Sequence, residues 1–173
     1  WTFITMASEL RVDKIIPTGG VPTGGGGGII QVTTNTITAQ FQTTTQTYED
    51  TNLTGTITPK FATSKIMVMI NQQVYQNIAS AGASYFGIRL LRGSTVIHDP
   101  LADGTGPYEQ AGYFRNGFNW NFNYLDSPNT TSAVTYKTMA RIYNSTTGGT
   151  LRMQMTETGV SGVSYIHLME ISA

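Results

Sequence analysis

The chain has 173 residues, ten basic and ten acidic side chains, no cysteine, and a charged fraction of 12%, about half the usual share in soluble domains. This length suits one domain that buries a sizeable core without metal or disulfide staples. Zero net charge argues against nucleic-acid and polybasic membrane binders, and no apolar run is long enough to span a bilayer. The lack of cysteine excludes a disulfide scaffold, a thiol nucleophile and a cysteine-ligated zinc.

Threonine, with asparagine, serine and glutamine, supplies polar surface in place of charge. Threonine is β-branched and fits a pleated, half-solvated strand, so the composition favours β-structure. Edge strands of soluble proteins are usually protected by Lys, Glu or Pro, and a net charge near zero favours association. We therefore expect a protein that closes its strand edges, covers them, or buries them against copies of itself.

The first 28 residues differ in composition from the rest. Trp1–Thr5 precedes Met6, which begins a stretch typical of a natural protein start, and we exclude these five residues from the functional interpretation. The run Gly24–Gly28 is typical of a flexible linker, because a phosphate-binding loop would need Gly-Lys-Ser/Thr where two isoleucines follow. The predicted organisation is an arm and linker over residues 1–28 and one domain over residues 29–173.

From the end of the glycine run onward, apolar and polar residues alternate with the period of strands, and no segment shows a sustained helical period with caps. One segment, Lys65–Ile70, is apolar on both faces and predicts a central strand buried from two sides. The predicted strands lie around Ile37–Phe41, Leu53–Ile57, Lys65–Ile70, Ser84–Leu91, Thr95–His98, Phe118–Tyr124, Val134–Ile142, Leu151–Met155 and Val163–Ile171. Strands at this spacing predict an all-β fold, an antiparallel β-sandwich or jelly roll.

The most distinctive predicted strand alternates aromatic residues with asparagines. The aromatic residues are Phe118, Trp120, Phe122 and Tyr124, and the intervening ones are Asn119, Asn121 and Asn123. In one interpretation, favoured for any single ring, the aromatic face packs inside the sandwich and the asparagine row faces solvent. In the other, one face lines a subunit interface or a sugar-binding surface. Packing explains the asparagine row less well, because asparagine is depleted in strands.

Residues suited to catalysis or metal binding form no recognisable motif. His98 and His167 are the only histidines, and the second lies in an apolar strand where a structural role is favoured; the nucleophile-elbow pattern is absent. Asp99, Asp103 and Glu109 are candidates for a polysaccharide depolymerase or a Ca²⁺ site, but their spacing favours a solvated turn. We therefore predict no catalytic residue, no metal site and no cofactor.

Several stretches of the chain carry a resemblance to a known group of proteins. Near the N-terminus, Met6–Pro17 runs into Thr-Gly-Gly-Val-Pro, the glycine run and Ile29–Val32. Further along are Leu53–Pro59, Thr63–Ile66, Leu125–Pro128, Thr135–Lys137 and His167–Ala173. Together these stretches resemble virion structural proteins of marine tailed phages, notably cyanophages, of the tail-fibre or capsid-decoration type. The first five residues and residues 98–124 do not match.

The resemblance implies a non-enzymatic virion protein, assembled in the bacterial cytoplasm. Its N-terminal arm would dock onto other virion proteins, and its head would be a β-sandwich. Proteins of this kind are typically homotrimers, similar in outline to the trimeric jelly rolls of the tumour-necrosis-factor and complement-globular type. The resemblance therefore implies that the main partners are copies of this chain and other virion proteins. The zero net charge and the lack of a long apolar run predict no nucleic-acid partner and no membrane insertion.

The unmatched region is expected to form exposed loops around residues 98–115. Tyr108, Tyr113 and Trp120 lie in or near it and are candidate contacts for a receptor or glycan on the host surface. They support an alternative function, that of a carbohydrate- or receptor-binding module without catalytic activity.

Overall fold

The computed structural model describes residues 28–78, 82–83, 85–99, 108–109, 114–143, 149–157 and 160–172, and the regular structure within them consists of strands. The strands are β1 (Ile29–Ile37), β2 (Phe41–Thr43), β3 (Glu49–Ile57), β4 (Lys65–Ile78), β5 (Gly82–Ala83), β6 (Tyr85–Arg92), β7 (Thr95–His98), β8 (Tyr108–Glu109), β9 (Phe114–Asp126), β10 (Val134–Tyr143), β11 (Thr150–Met153), β12 (Thr156–Glu157), β13 (Val160–Ser161) and β14 (Ser164–Ile171). The predicted all-β class is confirmed. Of the predicted arm, only Gly28 lies within the described residues.

Two antiparallel sheets contain most of these strands. The first has six strands in the order β1-β14-β4-β11-β2, with β9 on the opposite edge of β4. Strand β4 pairs with β14 along its first half and with β11 along its second half, while β9 follows it over nearly its whole length. The second sheet has the order β3-β10-β6-β7. Buried side chains of both sheets share one core, which confirms the predicted antiparallel β-sandwich.

The core lies between the two sheets and consists of two apolar clusters. The first includes Leu53 of β3, Val68 of β4 and Tyr136 of β10, all at 0% exposure, and the second includes Ile88 of β6 and other fully buried side chains of β4, β10 and β11. Each strand contributes alternate residues, since successive side chains in a strand point to opposite faces. The sheet faces that point away from this core are therefore the outer faces of the sandwich.

The prediction that Lys65–Ile70 is buried on both faces is wrong for one of them. Ile66, Val68 and Ile70 are at most 3% exposed and point into the core. The intervening methionines are only half-buried, because none of the described strands forms a second layer over the outer face of β4. The strand is central in its sheet, as predicted, but its outer face is left at the surface.

The alternating run at Ile37–Phe41 also differs from its prediction as one strand. Strand β1 ends at Ile37, strand β2 begins at Phe41, and the residues between them are not in a strand. The break falls where the pairing partner changes from β14 to β11, which succeed each other along the same edge of β4. The chain has to shift between these two partners, so one continuous strand does not form.

The buried carboxylate of Glu170 holds several chain segments together by hydrogen bonds. Its side chain points inward from β14 with 0% exposure, and its carboxylate accepts hydrogen bonds from the backbone N–H of Lys60 (2.7 Å) and Phe61 (3.3 Å) and from the amide of Gln31 (2.5 Å). Burial by itself would raise the pKa of Glu170, but the Ser64 hydroxyl nearby and these hydrogen bonds hold it below its usual value. The ionised carboxylate therefore ties β1 and the β3–β4 connection to β14.

Replacing Glu170 by glutamine is expected to lower the free energy of unfolding by about 1–3 kcal/mol at pH 7, because charge-assisted bonds to buried donors are lost. The lowered pKa gives the native protein stability that is present above the unfolded pKa of about 4.3 and is lost as the pH falls through the folded value. Urea unfolding at pH 7 and pH 3 measures both effects. A variant as stable as the native protein at pH 7 would contradict the account.

Candidate interaction surface

The outer face of the six-stranded sheet is built by four adjacent strands in the order β9, β4, β14 and β1. Their registers align outward side chains in rows that cross the sheet. The rows are Lys65–Ile171–Ile29, then Leu125–Met67–Met169–Val32, then Asn123–Met69–His167–Thr34, then Asn121–Asn71–Tyr165–Thr36. Lys65, at one corner, is the only lysine, arginine, aspartate or glutamate in these rows. We call this surface the outer face.

One end of the outer face is apolar, and we call it the apolar band: Ile29, Val32, Met67, Leu125, Met169 and Ile171. Leu125 is 45% exposed, Val32 is 50% exposed and Ile29 is 62% exposed. The predicted arm joins the domain at this end, where Gly28 and Ser172 exchange two hydrogen bonds of 2.9 and 3.1 Å. Gly28, the last residue of the predicted arm, therefore lies at the edge that carries the apolar band.

The middle of the outer face contains a shallow depression of about 330 Å³, which we call the amide depression. Its lining consists of Met69, Ile70, Asn71, Asn121, Asn123, Tyr165 and His167. The Tyr165 and His167 rings pack with their centroids 4.7 Å apart, and the Thr34 hydroxyl and His167 Nδ1 form a hydrogen bond of 2.8 Å. These contacts fix the aromatic side of the depression, opposite the asparagines of β9.

Strand β9, which alternates aromatic residues with asparagines, is oriented with its aromatic face towards the core of the sandwich. Asn119, Asn121 and Asn123 are exposed on the outer face, whereas the rings between them point inward and pack against the core clusters. Strand β9 pairs with β4 on one edge, and no described strand pairs with its other edge. The asparagine row therefore lies on the rim of the outer face.

Of the three predicted glycan contacts, only Trp120 has a side chain within the described part of the structure. Trp120 is half-buried on the inward side of β9, with its ring centroid 4.3 Å from that of Phe122. Tyr108 is paired through its backbone with Ala83 in the short strand β8, and Tyr113 lies outside the described residues. A role for these three residues stays a prediction.

Two candidates for acid–base chemistry, His98 and Asp99, lie apart from the outer face, whereas His167 lies on it. His98 ends β7 and stacks on Tyr124 with ring centroids 5.1 Å apart. Asp99 accepts a long hydrogen bond of 3.4 Å from the Tyr48 hydroxyl, and Asp103 lies outside the described residues. Among the residues that the structure describes, no three His, Asp or Glu side chains group as metal ligands, and no helix is long and apolar enough to cross a membrane.

Sequence reasoning missed the β14 and β4 residues of the amide depression. His167 was interpreted as structural because its strand is apolar, yet it points outward beside Tyr165. The available signal was the period-2 pattern: Ile166 and Leu168 are fully buried, so the residues between them belong to the other face. The register that places Asn71 beside both Asn121 and Tyr165 has no local signal in the sequence.

Comparison with known proteins finds distant structural likeness only. No protein-family model and no curated protein matches the chain. A chain in the structure of infectious bursal disease virus, Gx strain, matches over 83% of this chain and 37% of that chain, with 14% sequence identity and a TM-score of 0.40. A chain of the Gt strain matches over 97% and 43%, with 11% identity and a TM-score of 0.38. The protein thus spans less than half of each neighbour, and TM-scores of this size assign neither a fold family nor a function.

Proposed function

We propose that the protein is a non-enzymatic structural subunit of a virus particle, a tail-fibre tip or a capsid decoration. In this role the arm of residues 6–28 attaches the subunit to other virion proteins, and the β-sandwich forms an exposed head. The sequence resemblance to phage virion proteins supports the proposal that the particle is a tailed phage. The observation that carries the assembly role is the exposed apolar band at the edge where the arm enters.

Copies of this chain are the partners that the apolar band suits best. A contiguous exposed apolar patch marks an interaction site, since isolated apolar side chains are normal on a surface but clusters are not. Apart from Lys65 at one corner, the rows of the outer face carry no Lys, Arg, Asp or Glu, so identical copies can approach there without strong repulsion between like charges. We propose that the protein associates as a homotrimer that buries the band.

Deleting residues 6–28 is expected to abolish incorporation into particles while leaving the sandwich folded, because β1 begins only at Ile29. The measurement is the amount of the protein in purified particles, by quantitative mass spectrometry, together with the melting temperature of the isolated variant. A matched control replaces Gly24–Gly28 with a serine–glycine linker of equal length and should incorporate normally. Normal incorporation of the deletion variant would overturn the anchoring role.

A further inference from the structure

We propose that the amide depression binds a small uncharged saccharide. This site is distinct from the three aromatic residues that the sequence suggested, and it does not depend on the proposed role in a virus particle. Its ligand is identified by the chemistry of the described lining residues, which offer several side-chain amides and one aromatic ring pair and include no charged group of fixed sign.

The amides around the depression are available for a ligand. Within the described part of the chain, the side-chain amides of Asn71 and Asn123 make no hydrogen bond, and that of Asn121 makes only one, at 3.5 Å, to the Asn119 carbonyl. Each amide offers two donors and one acceptor on adjacent atoms. Neighbouring hydroxyl groups of a sugar present the matching pattern, since each is both donor and acceptor.

Two successive contacts hold the aromatic side of the depression in place. Tyr165 packs on His167, and His167 is in turn held by Thr34 of the neighbouring strand β1. All three residues stand on paired strands of a sheet, where a site is positioned more precisely than on loops. The partly buried Tyr165 ring offers an apolar surface to the C–H face of a sugar ring, while the amides face its hydroxyl groups.

The uncharged lining of the depression favours an uncharged ligand. Among the described residues, no Lys, Arg, Asp or Glu lines the depression, so a carboxylate, sulfate or phosphate on a sugar would lose water without gaining a charged partner. The volume of about 330 Å³ lies at the lower end of small-molecule sites and is open on one side. These features fit the end or one face of a neutral oligosaccharide rather than a deeply enclosed ligand.

The site lies beside the apolar band but is separate from it. The nearest lining residues, Asn123 and His167, stand two residues along their strands from Leu125 and Met169, or about 7 Å at the rise of a β-strand. The farther ones, Asn121 and Tyr165, stand four residues away, or about 13 Å. Copies that associate through the band at the arm end therefore leave the far rows of the outer face open. The assembled protein then presents one depression per chain, which raises the avidity for a repeated surface glycan.

A glycan array probed with the labelled full-length protein tests the proposal, followed by titration of the best neutral glycan. The double variant Asn121→Ala with Asn123→Ala is expected to weaken that binding at least about tenfold, because two amides that contact the ligand are removed. Tyr165→Leu is expected to weaken it independently through the lost ring surface. Asn119→Ala removes the same residue type from the same strand but outside the lining, and it should bind normally.

Three results would overturn the proposal: no binding to any neutral glycan, equal binding by the double variant, or stronger binding to sialylated or sulfated glycans. Unchanged melting temperatures of the variants show that a loss is not caused by unfolding. The solution mass of the same samples shows whether a variant has also changed the association of the chains, so the glycan proposal and the proposed association are tested separately. Loss of glycan binding with an unchanged mass would concern the depression alone.

Discussion

Replacing Val32 and Leu125 together by glutamate is expected to dissociate the assembled protein into single chains. Both side chains are about half exposed in the single chain, and burying such residues in an interface contributes about 1–2 kcal/mol each. The substitution removes this contribution and places like charges opposite each other in neighbouring copies, where desolvation adds a further cost. Association should weaken by at least about 100-fold, measured by light scattering over a dilution series.

The matched control for this variant is Asn119→Glu. It adds one negative charge, against the two of the band variant, to the same face and on the same strand as Leu125, but at the end far from the apolar band. It should assemble as the native protein does, and both variants should unfold at nearly the native temperature, because the replaced side chains are exposed. A band variant that still assembles would show that copies meet through another surface.

Replacing Asp126 by alanine is expected to cause the largest loss of stability, about 3 kcal/mol, because two groups lose their partner. Asp126, only 6% exposed, accepts a hydrogen bond of 2.7 Å from the hydroxyl of the fully buried Tyr136. The same carboxylate pairs with the Arg92 guanidinium at 2.9 Å. Burial first, and then the hydrogen bond to Asp126, raise the pKa of Tyr136, so this hydroxyl stays a donor.

A double-mutant cycle isolates this interaction. Tyr136→Phe removes the buried hydroxyl, and Asp126→Ala in that background should cost less than in the native protein by about 1 kcal/mol or more. Denaturant unfolding of the four proteins measures the coupling. Strictly additive effects would contradict a direct stabilising contact between the two side chains, and would leave only the Arg92 pair as a role for Asp126.

Much of the strand content follows from local pattern. The hairpin of β6 and β7 was predicted from the turn at Gly93, which adopts the positive φ of 59° that glycine tolerates at low cost. Strand β10 was predicted from alternation and is observed over Val134–Tyr143. The alternating strand predicted through Met155 stops at Met153, because Gln154 takes a left-handed backbone conformation that interrupts the extended chain.

The outer face could not be predicted from the sequence alone. Alternation indicates which residues of one strand share a face, but it does not state which strands are neighbours or in what register. The row of Asn121, Asn71 and Tyr165 joins three strands that are far apart in sequence. The polar residue Gln72 shows the same limit: it lies fully buried at an inward position of β4, where the pattern alone would favour an apolar side chain.

The most direct test of the central claim, that this sandwich associates with copies of itself through the apolar band, is the solution mass of the native protein. Light scattering behind a sizing column at two concentrations gives this mass without reference to shape. The account predicts a mass near three times the 18.8 kDa of one chain at both concentrations. A mass of one chain at both concentrations would contradict it.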